Sequence, residues 1–276
     1  MIRIGFIGCG NMGAAIASAL STKKDYEVSI YESVAQKQEA FLEKHPTVKG
    51  QDSLESLFSA SDILVITVKP QVLGNLYPVL GKLGSVTKKW ISIAAGVPLS
   101  VLCKKLGTDQ VVRFMPNIAA KVNGAVTAIA VHPQADKQLE QEALTIAQSF
   151  GTAFFLEEDL FPAFIGISGS AIAFVFQFIH ALAMGGCKEG IPYPKSIEMI
   201  TDTMQGAIKL QQETKKNVVD LETFVCSAAG TTIEGVQALY ENGFDIAVMK
   251  AVVASTERAR ELENIALSIV ASEKIR

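Results

Sequence analysis

Residues 226–235 read CSAAGTTIEG. Three small residues, Ser227, Ala228 and Ala229, lead into Gly230, Thr231 and Thr232, just ahead of a helical run, IEGVQALYE. Thr231 followed three residues later by Glu234 has capping-box spacing, so a helix is expected to start here. Two readings fit. In the plain one, Thr231 is the N-cap and Glu234 reaches back to it. In the other, Gly230, Thr231 and Thr232 present consecutive N–H groups to an anion. A bare helix N-terminus can hold a carboxylate in this way without any Arg or Lys.

A second constellation lies at the start of the chain. Gly8-Cys9-Gly10-Asn11-Met12-Gly13 fits GxGxxG, follows a strand-like run and opens a helix-like one. Glycines in that setting permit a tight turn and let backbone approach a pyrophosphate at a helix N-terminus. About 20 residues further on, where a dinucleotide fold places an acidic residue on the ribose 2′-hydroxyl, EVSIYES supplies Glu32. A carboxylate there repels the 2′-phosphate of NADPH, and the nearest basic residue downstream is Lys37. Glu32 therefore favours NADH, with NADPH as the alternative. Three later strand ends join this group: Lys69 and Pro70, then Ala95 and Gly96, then Met115, Pro116 and Asn117. Ligands of open parallel sheets bind at such carboxyl ends, so together these residues would line a nicotinamide site. Singly, each proline is also ordinary loop punctuation.

The elements that must position these residues change character along the chain. In the first half, IRIGFIG, EVSIY, DILVITV, WISIAA, VVRFM, AVTAIAV and TAFFL read as strands. Between them lie helix-like pieces such as NMGAAIASALS, QKQEAFLEKH and ADKQLEQEALTIAQSF. Such alternation implies right-handed βαβ units and a parallel sheet. After about residue 160 helical periodicity takes over, in AFVFQFIHALAMG, SIEMITDTMQGAIKLQQ and DIAVMKAVVASTERARELENIALSIV. The expected architecture is an α/β Rossmann-type dinucleotide-binding domain, residues 1–158. An all-α domain for dimerisation and substrate binding follows, residues 159–276.

Composition narrows the function classes. The 276 residues are 49% apolar, enough for packed cores and too many for a disordered chain. Net charge is −3 with no basic block, so no nucleic-acid partner is expected. Cys9, Cys103, Cys187 and Cys226 form no CxxC pair, which suggests reduced thiols in a cytoplasmic protein. His45, His132 and His180 are scattered without neighbours at ligand spacing, so no metal is expected. The opening residues lack the charged and long apolar regions of a secretory leader. From Leu160 to Cys187 there is no Asp, Glu, Lys or Arg, long enough to span a bilayer. Its Pro162, Gly166, Ser168, Gly169, Ser170, Gln177 and His180 favour a helix covered by a second subunit, with no membrane partner. Ser168 and Ser170 would cap that helix or face the nicotinamide.

GFIGCGNMGAAI, VKPQ, ISIAAGV, VVRFMPN, SGSAIAFVF and CSAAGTTIEGVQALYENGF occur in the order found in the pyrroline-5-carboxylate reductase family, which this chain resembles from residue 1 to about residue 265. The resemblance implies reduction of the cyclic imine 1-pyrroline-5-carboxylate to L-proline with NADH or NADPH. It also implies a homodimer interlocked through the C-terminal helices, sometimes within larger rings. In that family the second threonine, Thr232 here, lies near the imine nitrogen, and the carboxylate would fall to Gly230 and Thr231 with Ser227 in support. A threonine hydroxyl is a poor acid at neutral pH, so hydrogen bonding to an already protonated imine, or relay through water, suits Thr232 better than proton donation.

Three motifs depart from the family. SPGGTT is Ser227-Ala228-Ala229-Gly230-Thr231-Thr232, SGSGPAY is Ser168-Gly169-Ser170-Ala171-Ile172-Ala173-Phe174, and MPNTP is Met115-Pro116-Asn117-Ile118-Ala119. Many members also carry Arg in place of Glu32. A related cyclic imine as substrate, or a non-catalytic nucleotide-binding regulator, are the alternatives these changes raise. The β-hydroxyacid dehydrogenases share the layout but rely on a lysine that residues 160–187 lack.

Overall fold

Alternate residues of the first strand feed two opposite cores. In the computed structural model, which describes residues 1–272, Ile4 and Phe6 of β1 (Ile2–Ile7) pack on one face of a sheet and Ile7 on the other. Strands β2 (Tyr26–Tyr31), β3 (Lys49–Gly50), β4 (Ile63–Ile66), β5 (Lys89–Ser92), β6 (Val111–Pro116), β7 (Ala125–Val131) and β8 (Gly151–Phe155) complete it. The order is β3-β2-β1-β4-β5-β6-β7-β8, so the chain reverses direction across the sheet between β1 and β4. That is a topological switch point, the place where open α/β sheets bind ligands.

Helices cover both faces, which is why β4 (ILVI) is apolar and buried throughout. On one side lie α1 (Asn11–Ser21), α2 (Ala35–Leu42) and α6 (Lys137–Gln148), contributing Ile16, Leu20, Phe41, Leu139 and Ile146. On the other lie α3 (Leu54–Ala60), α4 (Pro70–Lys82) and α5 (Leu99–Leu106), contributing Leu57, Leu73, Leu76 and Leu102 around Trp90.

All seven strand-like runs of the sequence are strands. The sheet departs from the all-parallel expectation at one pairing, because β6 and β7 run antiparallel. They are joined only by a 3₁₀ turn, Ile118–Val122, and Asn123 in the left-handed region at φ 55°. A parallel crossover needs a dozen or more residues. The two-residue β3, exposed and paired to β2, carries no pattern to read.

Beyond β8 the regular elements are helical: α7 (Phe161–Phe164), a π turn (Ile165–Gly169), α8 (Ala171–Lys188), α9 (Tyr193–Thr214), α10 (Val218–Val225), α11 (Thr231–Glu241) and α12 (Phe244–Ser272). Two compact units result among the described residues, 1–169 with 255–272, and 170–254. The division differs from the expected 158/159 boundary for two reasons. Phe161 and Phe164 are buried in the second core of the α/β unit. The far end of α12 returns to that unit through Glu263, which pairs with Arg113.

The helical unit has almost no core of its own. Of residues 170–254 only Ala183 and Ser196 are buried. A Cβ on Gly186 would come 2.6 Å from Ser196 Oγ, so glycine there lets α8 and α9 approach closely. Phe176, Met184, Met199, Ile208, Phe224 and Met249 all stand exposed. The helical stretch Glu158–Lys188 is long and apolar enough to cross a membrane by length and composition.

Candidate functional site

The glycine-rich turn follows β1 directly. Gly8 has φ +100°, which a side chain would resist, and its N–H donates to Tyr31 O at 2.8 Å. A Cβ on Gly13 would lie 2.6 Å from Thr67 Oγ1 and 2.7 Å from Gly8 O, so α1 comes this close only with glycine. Gly10 is the N-cap of α1, extended and without a side-chain cap. A Cβ built on it would meet nothing within 4 Å. The turn therefore fits a pyrophosphate: uncapped N–H groups, positive dipole and open space at the glycine that would meet the ligand.

Glu32 follows β2 and faces this turn. Its Oε2 accepts the Cys9 N–H at 2.8 Å, and its Oε1 accepts from Ser33 Oγ and from the Val34 N–H, each at 3.2 Å. The Glu32 N–H donates to Gln38 Oε1 at 2.8 Å. Burial, helped by the Glu32 charge, pushes the Cys9 thiol up to about 11, so it stays protonated and inert at neutral pH. Cys9, Gly10 and Asn11 also border a cleft of about 650 Å³ with Lys37, Lys44 and Lys121 on its rim. Lys121 Nζ donates to Asn11 Oδ1 at 3.1 Å.

Parallel pairing puts the ends of β1, β4, β5 and β6 along one sheet edge, with Ile7 beside Ile66, Ile66 beside Ser92, and Ser92 beside Arg113. Lys69 is the N-cap of α4 and Pro70 its first residue, where a missing N–H costs nothing. Ala95 and Gly96 form the turn after β5. Gly96 has φ +70°, and a Cβ there would come 3.1 Å from Leu262 Cβ of α12.

Asn117 is 7% exposed and works as a connector. Its Nδ2 donates to Ser168 Oγ at 3.1 Å, and its Oδ1 accepts from the Ala119 and Val126 N–H groups at 3.3 and 3.4 Å. Ser168 does not cap a helix, the first of the two roles read from sequence, because α7 runs into α8 through the π turn. Ser170 makes no side-chain cap either.

The CSAAGTT segment joins α10 to α11. Here the structure corrects the capping box: the N-cap is Gly230, extended, with no side-chain cap, and Thr231 and Thr232 are the first two helical residues. Gly230 N–H donates to Ser227 O at 3.0 Å, and a Cβ on Gly230 would fall 2.2 Å from Ser227 Oγ. The tight Ser227–Gly230 turn holds Ala229 in the left-handed region at φ 55°. Ser227, Gly230, Thr231 and Thr232 thus meet in one loop, and no side chain caps the leading N–H groups of α11.

Two clusters escaped the sequence reading. Arg113 is fully buried between Glu158 (2.8 Å) and Glu263 (2.7 Å), with its guanidinium 4.8 Å from the Phe161 ring centre. The same Glu158 Oε1 accepts the Leu99 N–H at 2.8 Å, tying the start of α5 to the cluster. The only local signal was a charge inside an apolar strand, VVRFM, which must find a partner. The second cluster is Cys103, Asp109 and His132, whose ligand atoms lie within 4.8 Å of one another. His132 therefore does have neighbours at metal distance. They suit a metal poorly: Gln134 N–H donates to His132 Nδ1 at 3.3 Å, which leaves the proton on Nε2, facing Asp109. Burial pushes the Cys103 thiol up to about 11.

Known proteins match along most of the chain. Residues 3–96 match the family model described as NADP oxidoreductase, coenzyme F420-dependent, and residues 158–262 match the one described as pyrroline-5-carboxylate reductase dimerisation. The pyrroline-5-carboxylate reductase of Methanosarcina acetivorans is 38% identical, over 94% of this chain and 97% of its own. The chain belongs to the pyrroline-5-carboxylate reductase family. Solved members of the family share its fold. The Coxiella burnetii reductase superposes with a TM-score of 0.86 at 27% identity, covering 95% of this chain and 98% of that one. The Plasmodium falciparum reductase, solved with NADP bound, does so at 0.84 and 26% identity, covering 95% and 98%.

Proposed function

We propose that this chain reduces 1-pyrroline-5-carboxylate to L-proline, with NADH or NADPH supplying the hydride. The observation that carries the site is the uncapped, Gly230-led N-terminus of α11, inside the segment that matches the family's dimerisation model. Gly230, Thr231 and Thr232 hold the substrate carboxylate by backbone N–H groups, with Ser227 holding the turn. The Thr232 hydroxyl orients the ring nitrogen, which arrives protonated. Gly8, Gly10, Asn11, Met12 and Gly13 receive the pyrophosphate. Lys69, Pro70, Ala95, Gly96 and Asn117 border the nicotinamide. Most of the rate comes from holding the two reacting carbons in contact and excluding water.

Glu32 makes NADH the preferred cofactor. Its carboxylate already sits against the glycine turn, where it would meet the ribose hydroxyls and repel a 2′-phosphate. Residues 1–158 serve as the cofactor domain and 159–276 as the dimerisation and substrate domain of a homodimer, or of a larger ring of dimers. The exposed apolar side chains of α8–α12 support that assembly, with a second copy rather than a bilayer covering them, in a cytoplasmic enzyme. Ala229, a left-handed residue with a side chain in the substrate loop, favours one second reading: a related cyclic imine as substrate.

The test is the initial rate of NADH, then NADPH, oxidation with pyrroline-5-carboxylate, beside its six-membered homologue. A faster rate on the five-membered ring with NADH supports the proposal. A faster rate on the six-membered ring moves the substrate. NADH binding with no turnover of either ring overturns the proposal and leaves a nucleotide-binding regulator.

A further inference from the structure

The peptide unit between Gly8 and Cys9 is the first of the glycine-rich turn, and it is held from both sides. A trans peptide points its C=O and N–H in opposite directions. On the β2 side, the Cys9 N–H donates to Glu32 Oε2 at 2.8 Å. On the β4 side, Gly8 O accepts from the Thr67 hydroxyl at 2.6 Å, and the same hydroxyl lies 2.9 Å from Ile7 O. The Thr67 N–H also donates to Ile7 O, at 3.0 Å, so the residue is anchored to β1 by its backbone before its side chain acts. Thr67 Cβ and Oγ1 fill the space that a Gly13 side chain would take, wedged between the turn and the first residues of α1.

We propose that Thr67 is a positioning residue for the cofactor: its hydroxyl fixes the Gly8–Cys9 peptide, and with it the N–H groups offered to the pyrophosphate. This rests on the reading of the glycine turn as the dinucleotide site. The two anchors are not equivalent. A ribose bound at Glu32 shares the carboxylate that holds the Cys9 N–H, whereas nothing in that binding mode touches the Thr67 hydroxyl. Thr67 is then the anchor that ribose binding leaves unchanged. It touches no reacting atom, so its loss acts on cofactor affinity and leaves the chemical step alone.

The experiment uses Thr67→Val, which keeps the shape and removes the hydroxyl, and Thr67→Ser, which keeps the hydroxyl. Gly10→Ala serves as a control, because its methyl enters open space where the pyrophosphate would approach. The dissociation constant of NADH is read by fluorescence, and KM for NADH and kcat from steady-state rates. Expected are an NADH Kd and KM raised about tenfold in Thr67→Val, the value of one lost hydrogen bond. The kcat at saturating NADH and the KM for the imine should stay within about twofold, and Thr67→Ser should restore wild-type affinity. Unchanged NADH affinity in Thr67→Val, with Gly10→Ala unable to bind, overturns the proposal and leaves the dinucleotide site standing. Normal binding in Gly10→Ala overturns the site itself. Should Thr67→Val fail to fold, Thr67→Ala takes its place with the same expected outcomes. A Thr67→Ser enzyme as weak as Thr67→Val would also overturn the role of the hydroxyl.

Discussion

Replacing Glu263 by Gln should weaken the protein by about 1–2 kcal/mol, and the structure says why. Arg113 is fully buried, while the side chains of Glu158 and Glu263 are 28% and 16% exposed. Gln retains an acceptor oxygen at the same reach but no charge. A hydrogen bond to a charged group contributes about 1.5–3 kcal/mol; with both groups ionised the pair sits at the top of that range and with Arg113 alone ionised at the bottom, so the difference is about 1–2. Arg113 still keeps Glu158, so the larger cost of an unpaired buried charge does not arise. Replacing Arg113 by Met removes the cation both carboxylates share and should cost more, about 3–5 kcal/mol at most, eased by the partial exposure of both. The assay is urea unfolding at one fixed protein concentration, since an oligomer's stability depends on concentration. The loss in Glu263→Gln should persist at high salt, because a buried pair is screened much less than a surface one. A Glu263→Gln protein within about 0.5 kcal/mol of wild type, or one costlier than Arg113→Met, would refute the reasoning.

Other outcomes follow from the two loops. Thr232→Ala should lower turnover by about tenfold or more while leaving NADH affinity intact, since in the proposed pose its hydroxyl meets the imine and not the cofactor; steady-state rates beside NADH fluorescence separate the two. Glu32→Arg should move the ratio of kcat/KM values toward NADPH, and an unaltered ratio would remove the case for NADH. Ala229→Gly should stabilise the chain by about 0.5–1 kcal/mol: a left-handed residue with a Cβ costs about 1–2 kcal/mol, and glycine's greater freedom when unfolded takes part of that back. A lower melting temperature for that variant would show that the loop does not hold φ 55° in solution.

What the sequence by itself determined were features written in local pattern. Strands announced themselves by short β-branched runs. The glycine turn showed by its spacing between strand and helix, Glu32 by its distance from that turn, and the helical second half by its period. Each depends on residues close together in the chain, so each is legible there. What only the tertiary structure decided depends on pairs far apart. Arg113 meets Glu158 and Glu263 across 45 and 150 residues, and Thr67 reaches Gly8 across 59. No period encodes such meetings. The antiparallel β7 and the uncapped α11 are decided by the same kind of fact. One follows from how short a connection the 118–124 segment leaves, the other from the extended backbone of Gly230. The capping-box pattern at Thr231 and Glu234 was real as spacing and empty as structure. A cap needs its hydroxyl residue just outside the helix, and the turn that sets Ser227 Oγ beside Gly230 starts the helix one residue earlier.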